Sequence, residues 1–495
     1  MERPACDPRL EREYVAAGWW ADDTLSGWLA RHVRERPDAP ALAFQDSVLA
    51  WRELESRVLA TARALKARGV ARRDVVAVQL PNTPEFVLSY LAIAHLGAVM
   101  CTLHMPYRGA EVQALMRHSG ARLAICLPQA KEMFEGRGVA FAELAGRRAP
   151  EIGDRAEATD PFLLLYTSGT TAAPKGVVHP YRTLLGNARL GAREHALTET
   201  SRILCAAPLS HLYGLYSLHC AWAVGACTVL LPAFKPEELG SVVEKRRPTA
   251  LWTAPAHVAA CRAAGVFDRY DWSVLELAIV SGSMASRELI QFFAERVPRC
   301  AVTQLWGMTE LQAGLYTRPG DPPGMSATTA GRPSPGTEVR RSDEGELQVR
   351  GPLLFSGYYK NPQATREAFT ADGWFRSGDL AERRGEYYAI TGRSKDIINR
   401  GGVKFNPAEV EMLLDAHPKI LQSAIVAMPD PVLGEKACAF VTLRNPDDGV
   451  TLADVVAYLI GKNIAKNKLP EKLVVLAEMP LTPTRKIIKG RLTLS

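Results

Sequence analysis

The chain lacks an apolar run long enough to cross a membrane. No uninterrupted apolar stretch reaches about 18 residues, because His, Arg or Gly breaks the most apolar windows. The first residues, MERPACDPRLEREYV, are of mixed charge and have no apolar centre, so a secretory signal is not expected. These absences predict a cytoplasmic protein without a transmembrane segment.

A patterned set of cysteines is also missing. The nine cysteines are scattered, with no CxxC pair and no paired spacing, which argues against a disulfide framework and against structural zinc. The rest of the composition is ordinary, with 47% hydrophobic and 23% charged residues among 495. This length predicts about two to four domains.

Charge is distributed unevenly. The net charge is +7, and residues 462–495 carry +6 of it, from eight Lys/Arg and two Glu. This basic tail is interpreted either as a solvated surface or as a surface that meets a polyanion, such as a nucleotide or a phosphorylated cofactor. Nucleic acid is not the expected partner, because the tail lacks aromatic residues and any nucleic-acid-binding motif.

Helical and strand-like segments alternate along the first part of the chain. Helical spacing occurs at residues 24–37, 50–70 and 85–99, and short apolar strands are predicted at 74–81, 122–127, 202–209, 227–232, 250–255 and 275–282. This alternation predicts an α/β fold with largely parallel sheets.

The composition and the pattern of predicted elements change at two further points along the chain. Gly- and Pro-rich β-like runs predict a small β-rich subdomain over residues 328–394. The last hundred or so residues predict a compact α+β unit. The predicted domains are therefore a large N-terminal domain, 1–394, and a small mobile C-terminal domain, 395–495.

One short segment, YTSGTTAAPKGV (residues 166–177), lies between two β-like runs and carries five hydroxyls and one lysine. Hydroxyl and amide donors suit phosphate oxygens, and Lys175 adds a cation. A Walker loop is excluded, because that motif opens a helix whereas Lys175 leads into a strand. A phosphate-binding loop on a β-hairpin and a merely flexible surface loop both remain open at this point.

Seven further motifs accompany this loop: LSYLAIAHLGAV (88–99), PLSHLYG (208–214), SGS (281–283), QLWGMTE (304–310), the segment 345–381, GRSKDIINRGGVKFNPAEVE (392–411) and PLTPTRKIIKGRL (480–492). In this order and spacing they resemble the signature motifs of the acyl-adenylate-forming superfamily, which comprises acyl-CoA synthetases, luciferase-like enzymes and peptide-synthetase adenylation domains. The resemblance covers essentially the whole chain and is strongest to AMP-forming acid:CoA ligases.

The resemblance implies a reaction in two halves. A carboxylate attacks the α-phosphate of ATP to give acyl-AMP and pyrophosphate, and a thiol, usually that of CoA, then displaces AMP. ATP, Mg²⁺ and CoA are thus the expected cofactors, with a small cyclic, aromatic or medium-chain carboxylic acid as substrate. The alternatives are a stand-alone enzyme that loads a carrier protein and a catalytically silent homologue that binds acyl-AMP or nucleotide. Monomer and homodimer both remain open.

The resemblance also implies which residues hold the nucleotide. The phosphates are expected to meet Thr167, Ser168, Gly169, Thr170, Thr171 and Lys175, and the adenine and its surroundings to meet Gly282, Ser283, Trp306, Gly307 and Met308. Thr309 and Glu310 are expected to close the adenine and phosphate site, and the Glu310 carboxylate is expected to hold Mg²⁺. Asp379 is expected to accept hydrogen bonds from the ribose hydroxyls, with Arg393 donating to the same ribose.

Further residues are implied for the acid, the second half-reaction and the change between the two. The predicted acyl pocket contains His211, Tyr213, Gly214, Ser281 and Trp306, although His211 is alternatively a satisfied core histidine. Lys486 is expected to reach the α-phosphate and the carboxylate. Lys395 is the predicted hinge, and CoA is expected along Arg400, Gly401 and Gly402. PLSHLYGLYSL contains no Asp to pair an α-ammonium, which favours a plain carboxylic acid.

Three residues depart from the family pattern. Ala172 stands where glycine is usual in the phosphate loop and is expected to stiffen it. Trp306 replaces a commoner tyrosine and is expected either to shorten the acyl pocket or to stack differently on the nucleotide. Arg485 replaces the usual glycine before Lys486, which raises the question of how freely the last loop closes over ATP.

Overall fold

A computed structural model describes residues 7–144, 156–167, 175–283, 285–482 and 486–492, with only the backbone of Thr167. Internal contacts divide the chain into one unit of Met1–Glu338 and Arg350–Thr370 and a second unit of Val339–Val349 and Ala371–Ser495. Lys395 lies inside the second unit, so the predicted domain boundary there stays a prediction.

Most of the helices bury an apolar face, and α4 and α7 are buried over most of their surface. They are α1 (Pro8–Ala16), α2 (Leu25–Glu35), α3 (Trp51–Ala67), α4 (Pro84–His95), α5 (Gly109–Ser119), α6 (Tyr181–Glu194), α7 (Leu212–Val224), α8 (Pro236–Arg246), α9 (Pro255–Ala263), α10 (Val266–Arg269), α11 (Arg287–Arg296), α12 (Met325–Thr328), α13 (Pro362–Glu367), α14 (Pro407–Asp415) and α15 (Leu452–Gly461). Several begin with proline, whose fixed φ and missing N–H suit the first helical position.

The strands are mostly short and rich in Val, Ile and Leu. They are β1 (Pro40–Phe44), β2 (Ser47–Ala50), β3 (Val75–Gln79), β4 (Val99–Thr102), β5 (Leu123–Cys126), β6 (Gly138–Ala140), β7 (Pro161–Thr167), β8 (Lys175–Pro180), β9 (Arg202–Cys205), β10 (Cys227–Val229), β11 (Ala250–Thr253), β12 (Leu277–Ser281), β13 (Ala301–Trp306), β14 (Leu315–Tyr316), β15 (Arg332–Pro333), β16 (Glu338–Arg341), β17 (Glu346–Arg350), β18 (Phe375–Arg384), β19 (Tyr387–Arg393), β20 (Ile398–Arg400), β21 (Val403–Phe405), β22 (Ile420–Asp430), β23 (Gly434–Leu443) and β24 (Lys472–Val475).

Two parallel-rich sheets form the first unit and confirm the predicted α/β fold. One sheet has the order β15-β14-β13-β12-β11-β9-β10-β1-β2, and the other has the order β6-β5-β3-β4-β7-β8. Within the larger sheet, the neighbours from β13 to β1 pair in parallel, and the edge strands pair antiparallel. The largest core cluster joins α2, α3, α4, α6 and α7 to these sheets, as expected when helices cover a buried parallel sheet.

The small β-rich subdomain and the α+β unit are also present. A four-stranded sheet has the order β16-β17-β18-β19, and a five-stranded sheet has the order β21-β20-β23-β22, with β24 parallel to β23. Helices α14 and α15 supply Val410, Leu414, Val455 and Leu459 to the core of the five-stranded sheet.

Several elements end earlier than their apolar sequence predicts. The strand predicted at 202–209 ends at Cys205, since the chain leaves the sheet before Pro208, which has no N–H for a sheet ladder. Similarly, the β-like run KLVVLAEM (472–479) forms a strand only as far as Val475. The sequence analysis also did not predict the β1–β2 hairpin, whose strands span only five and four residues.

Candidate functional site

Predicted site residues gather at one edge of the nine-stranded sheet. Strands β9, β11, β12 and β13 run parallel, so their carboxyl ends lie at the same edge. Residues 206–211 follow β9, residues 281–283 end β12, and residues 306–310 follow β13. The register pairs Ser281 with Leu305, which makes the last two segments neighbours. Ligands of open parallel sheets bind at this kind of edge.

His211 and Tyr213 join helix α7 to this edge. His211 caps the helix, with its Nδ1 accepting a hydrogen bond from the backbone N–H of Tyr213 at 3.3 Å. The Tyr213 hydroxyl lies 3.1 Å from the carbonyl oxygen of Thr253, at the end of β11, and 2.7 Å from that of Ile279, in the middle of β12. The hydroxyl therefore holds the helix to two strands, and only the ring of Tyr213 remains for the predicted acyl pocket.

Two predicted site glycines are required by close backbone approaches. A Cβ on Gly214 would lie 2.3 Å from the carbonyl oxygen of Pro208, and one on Gly307 would lie 1.8 Å from that of Gln312. The turn after Gly307 is closed by the Gln312 N–H, which donates to the carbonyl of Met308 at 2.9 Å. Glycine is therefore required at both positions by the backbone path of the two segments, independently of any contact with a ligand.

Trp306 is buried at the end of β13. A Cβ on Gly314 would lie 2.8 Å from the Cζ3 of the Trp306 indole, so the larger ring is accommodated by a glycine on the neighbouring turn. On the adjacent strand Ser281 is buried, Gly282 has φ +98°, and Ser283 is exposed. This glycine conformation turns the chain sharply where the adenine segment was predicted.

The phosphate-loop segment is carried by an antiparallel hairpin. Strands β7 and β8 pair in antiparallel register up to Thr167 opposite Lys175. Lys175 begins β8, which confirms that the lysine leads into a strand and not into a helix. The predicted phosphate ligands Ser168, Gly169, Thr170 and Thr171 lie outside the described residues, as does Ala172.

The sequence analysis missed a third backbone segment beside this hairpin. The N–H of Ser356 donates to the carbonyl of Val178 at 2.9 Å, and the N–H of Tyr359 donates to that of Gly176 at 2.7 Å. Tyr358 forms an isolated antiparallel bridge with Val177. The motif GYYKN therefore extends the hairpin edge, although no residue of it was singled out from the sequence.

Glu310 and Lys175 approach the same tyrosine. The Tyr358 hydroxyl donates to Oε1 of Glu310 at 2.9 Å, and the Lys175 Nζ lies 5.5 Å from the centroid of the Tyr358 ring. The backbone carbonyl of Glu310 accepts the N–H of Phe355 at 2.7 Å. Burial, together with the Glu310 carboxylate, raises the pKa of Tyr358 well above its usual range, so the phenol stays protonated as a donor.

His179 is a second residue that the sequence analysis missed. Its Nε2 lies 2.6 Å from the carbonyl oxygen of Thr309, and its Nδ1 lies 3.2 Å from Oγ1 of Thr183. A carbonyl only accepts, so Nε2 carries the proton and donates to Thr309. Burial lowers the pKa of His179 to about 4, which keeps the ring neutral. The only available signal was a lone histidine in the apolar run GVVHP.

Glu310 suits the metal that the resemblance implies. Its side chain is buried and supplies one carboxylate, a ligand that Mg²⁺ combines with phosphate oxygens and water. Across the described part of the chain, no group of three or more His, Cys, Asp or Glu side chains forms a cage for a metal ion. A bound Mg²⁺ would therefore take most of its ligands from substrate and solvent.

In the second unit, the predicted ribose residues form an ion pair. Nε of Arg393 donates to Oδ1 of Asp379 at 2.7 Å, between residues that are opposite each other on β18 and β19. The Asp379 N–H donates to Oγ of Ser377 at 3.1 Å, and that hydroxyl in turn contacts the carbonyl of Leu347. Asp379 is buried and Arg393 is exposed, so the carboxylate is fixed beside a solvent-facing donor.

Lys486 stands at the base of a short closed loop. The Lys486 N–H donates to Oγ1 of Thr482 at 2.9 Å, and the Thr482 N–H donates to the Lys486 carbonyl at 2.8 Å. Leu481 and Ile487 bridge beside them and pack on the core. Lys486 is exposed. Arg485 and the rest of 483–485 lie outside the described residues.

The predicted hinge is a short turn linked to the same C-terminal segment. Lys395 is exposed in the 3₁₀ turn Ser394–Asp396. Nζ of Lys489 lies 2.7 Å from Oε1 of Glu411 and 3.6 Å from Oδ2 of Asp396. Part of the basic tail is thus neutralised within the second unit, and its role toward a polyanion stays a prediction.

The predicted CoA residues form the turn between β20 and β21. Gly401 and Gly402 have φ +60° and +85°, which a two-residue hairpin turn with two left-handed residues requires. Nε and Nη2 of Arg400 both contact Oε1 of Glu471, at 2.7 and 2.6 Å respectively. The turn itself thus accounts for the two glycines, and their predicted proximity to CoA stays a prediction.

No helix in the described ranges is long and apolar enough to span a membrane.

Comparison with known proteins identifies the family. A family model described as AMP-binding enzyme matches residues 29–359, and one described as AMP-binding enzyme C-terminal domain matches residues 409–486. The medium-chain fatty-acid–CoA ligase of Escherichia coli (strain K12) is 30% identical over 516 residues, covering 96% of this chain and 91% of the relative. The pyochelin synthase PchD of Pseudomonas aeruginosa is 32% identical over 520 residues, covering 97% of this chain and 93% of the relative.

The fold agrees with this assignment. The crystal structure of the anthranilate CoA ligase AuaEII in complex with anthranoyl-AMP is similar, with a TM-score of 0.86 and 25% sequence identity. The similarity covers 94% of this chain and 96% of that one. The chain therefore belongs to the AMP-binding enzyme family and is an acid–thiol ligase of the AMP-forming kind.

Proposed function

We propose that this enzyme activates a plain carboxylic acid with ATP and transfers the acyl group to CoA. In the first step a carboxylate oxygen bonds to the α-phosphorus while the bond to the β-phosphate oxygen breaks, which releases pyrophosphate. In the second step the CoA sulfur bonds to the acyl carbon, AMP leaves, and the thiol proton passes to solvent.

The observation that carries this proposal is the arrangement of Lys175, at the start of β8, with Tyr358 and Glu310. It offers a cation and a buried carboxylate on either side of one tyrosine, which suits a triphosphate with a bound metal. When bound at Glu310, Mg²⁺ would supply positive charge to the phosphate oxygens. Thr309 and the hydroxyls of residues 167–171 would complete the phosphate contacts.

Residues of the second unit have separate proposed roles. Asp379 would accept hydrogen bonds from the ribose hydroxyls, and Arg393 would donate to the same sugar; their ion pair orients both side chains. Lys486 would neutralise the charge that develops when a carboxylate attacks the α-phosphate. CoA would lie along the turn at Arg400, Gly401 and Gly402.

The acid is proposed to be cyclic, aromatic or medium-chain. Relatives are named for a medium-chain fatty acid and for anthranilate, and neither carries the α-ammonium that an amino-acid pocket must pair. The lack of an acidic side chain in residues 208–218 of this chain supports the same class. His211, Trp306 and Ser281 are the proposed contacts.

Acid-dependent exchange of pyrophosphate into ATP tests this function. A panel of aromatic, cyclic and medium-chain acids should contain at least one that supports exchange, and CoA should then convert its acyl-AMP into a thioester. Pyrophosphate exchange followed by transfer of the acyl group only to a carrier domain would favour the carrier-loading alternative. The similarity to a pyochelin synthase is the reason for including that alternative in the test. No exchange with any acid, despite nucleotide binding, would favour the silent homologue.

A further inference from the structure

Tyr358 connects the two charged groups of the phosphate site. Its hydroxyl donates to Glu310 Oε1 at 2.9 Å, and the Lys175 ammonium lies 5.5 Å from its ring centroid. A cation within about 6 Å of an aromatic centroid is attracted by the ring. Both charges are thus held by one side chain that is itself uncharged.

The backbone of Tyr358 is fixed to the strand that begins at Lys175. Tyr358 bridges Val177, and the N–H of Val178 donates to the carbonyl of Gly357 at 3.2 Å. Because the backbone of Tyr358 is tied to β8, its hydroxyl sets where the Glu310 carboxylate lies relative to Lys175.

The hydrogen bond of Tyr358 to Glu310 and the contact of its ring with Lys175 strengthen each other electrostatically. Glu310 is buried, and an ionised buried carboxylate needs strong donors. When the Tyr358 hydroxyl donates to that carboxylate, electron density shifts onto the ring, and a richer ring attracts the Lys175 ammonium more strongly. Removal of the hydroxyl alone therefore loosens the carboxylate directly and the lysine indirectly.

We propose that Tyr358 is a positioning residue that holds the Glu310 carboxylate and the Lys175 ammonium in place for the metal–triphosphate of ATP. Tyr358 itself makes and breaks no bond in the reaction. The identity of the ligand rests on the proposed function, whereas the contacts of Tyr358 do not.

Substitution of Tyr358 by Phe tests this proposal in the full-length enzyme. ATP binding is measured by isothermal titration calorimetry over a series of Mg²⁺ concentrations. Loss of one hydrogen bond to a charged group should raise the half-saturating Mg²⁺ concentration roughly tenfold. ATP affinity at saturating Mg²⁺ should change much less, because the ring beneath Lys175 is kept.

Tyr359→Phe is the matched control. Tyr359 is the next residue, but its hydroxyl donates to the carbonyl of Ser119 at 3.4 Å, and its ring lies 4.9 Å from the Nζ of Lys360. It is expected to leave the Mg²⁺ dependence unchanged. A wild-type Mg²⁺ dependence in Tyr358→Phe, or an equal shift in Tyr359→Phe, would overturn the proposal.

A double-mutant cycle with Glu310→Gln tests whether Tyr358 acts through Glu310. In the Glu310→Gln background, Tyr358→Phe should produce no further shift, since the carboxylate that it positions is gone. An undiminished shift there would sink the positioning role. If no acid supports pyrophosphate exchange and yet Tyr358→Phe shifts the Mg²⁺ dependence, the positioning role stands and the proposed function fails.

Discussion

At the scale of single residues, predicted ligand contacts and backbone requirements coincide at several positions. Gly214 and Gly307 have no room for a Cβ beside neighbouring carbonyl oxygens, and the φ of Gly401 and Gly402 belongs to a tight turn. Substitutions there would change the fold before they reported on a ligand. Side chains with defined contacts, namely Lys486, His179 and Tyr358, make sharper tests.

Lys486→Ala should separate the two half-reactions. We expect pyrophosphate exchange to fall about a hundredfold or more, because the charge that develops in the attack on the α-phosphate loses its partner. Attack of CoA on supplied acyl-AMP should be largely kept. Lys462→Ala is the control, since Lys462 is an exposed lysine of the same basic tail beside the Tyr458 ring. Equal losses in both half-reactions would refute the role of Lys486.

His179→Leu should slow pyrophosphate exchange because the Thr309 carbonyl loses its donor. An unmet buried carbonyl costs about 1–3 kcal/mol, and displacement of the Thr309–Glu310 segment should reduce exchange roughly ten- to hundredfold. His32→Leu is matched, because the His32 Nε2 contacts the carbonyl of Trp222 at the same 2.6 Å. Exchange by the folded His32→Leu enzyme should be normal. Similar losses in both variants would mean that His179 matters only for stability.

At the scale of elements, strand β8 holds together most of the described residues of the proposed phosphate site. It begins at Lys175, bridges Tyr358 through Val177, and presents His179 to Thr309. Together with the approach of Lys175 to the Tyr358 ring, these two contacts make one strand responsible for the spacing of the cation and the carboxylate. A strand suits this task because its paired backbone is held along its length.

Lys395→Pro tests the turn proposed as the hinge. Proline fixes φ near −65°, so we expect pyrophosphate exchange to continue while thioester formation is blocked. Lys395→Ala removes the same exposed side chain without fixing φ, and it should support both half-reactions. Product analysis by mass spectrometry separates acyl-AMP from acyl-CoA. Normal acyl-CoA formation by the proline variant would contradict the hinge.

At the scale of the whole molecule, buried neutral histidines make stability depend on pH. Burial lowers the pKa of His104 and His179 to about 4 and that of His195 and His219 to about 3, all from 6.5. As the pH falls below 6.5, these four histidines bind protons in the unfolded chain but stay neutral in the folded chain. The stabilisation is therefore complete above pH 6.5 and is lost as the pH falls toward 3.

Thermal unfolding between pH 7 and pH 5 measures this effect. We expect the Tm of the wild-type enzyme to fall on acidification, and His195→Phe to flatten the fall. His195 suits the test because neither ring nitrogen has a hydrogen-bonding partner among the described residues. Arg318 adds a smaller repulsion to the burial that lowers the His195 pKa. Parallel pH curves for the two proteins would show that His195 is not one of the groups responsible.

The α/β fold class, the strand setting of Lys175 and the order of the motifs could all be predicted from the amino-acid sequence. These follow from local information, since hydrophobic periodicity and turn residues are written along the chain. Asp379 and Arg393 were assigned to one ribose only through the resemblance of their motifs to the family, and their ion pair on β18 and β19 places the two side chains together.

The side chains that support the proposed site became evident only from contacts between distant parts of the chain. Tyr358 is 48 residues from Glu310 and His179 is 130 residues from Thr309 along the chain, so no local pattern joins them. Strand pairing brings them together, and burial then turns a phenol and an imidazole into fixed donors. The contacts of the Tyr213 hydroxyl with strands β11 and β12 arise in the same way, because they depend on the packing of α7 against the sheet.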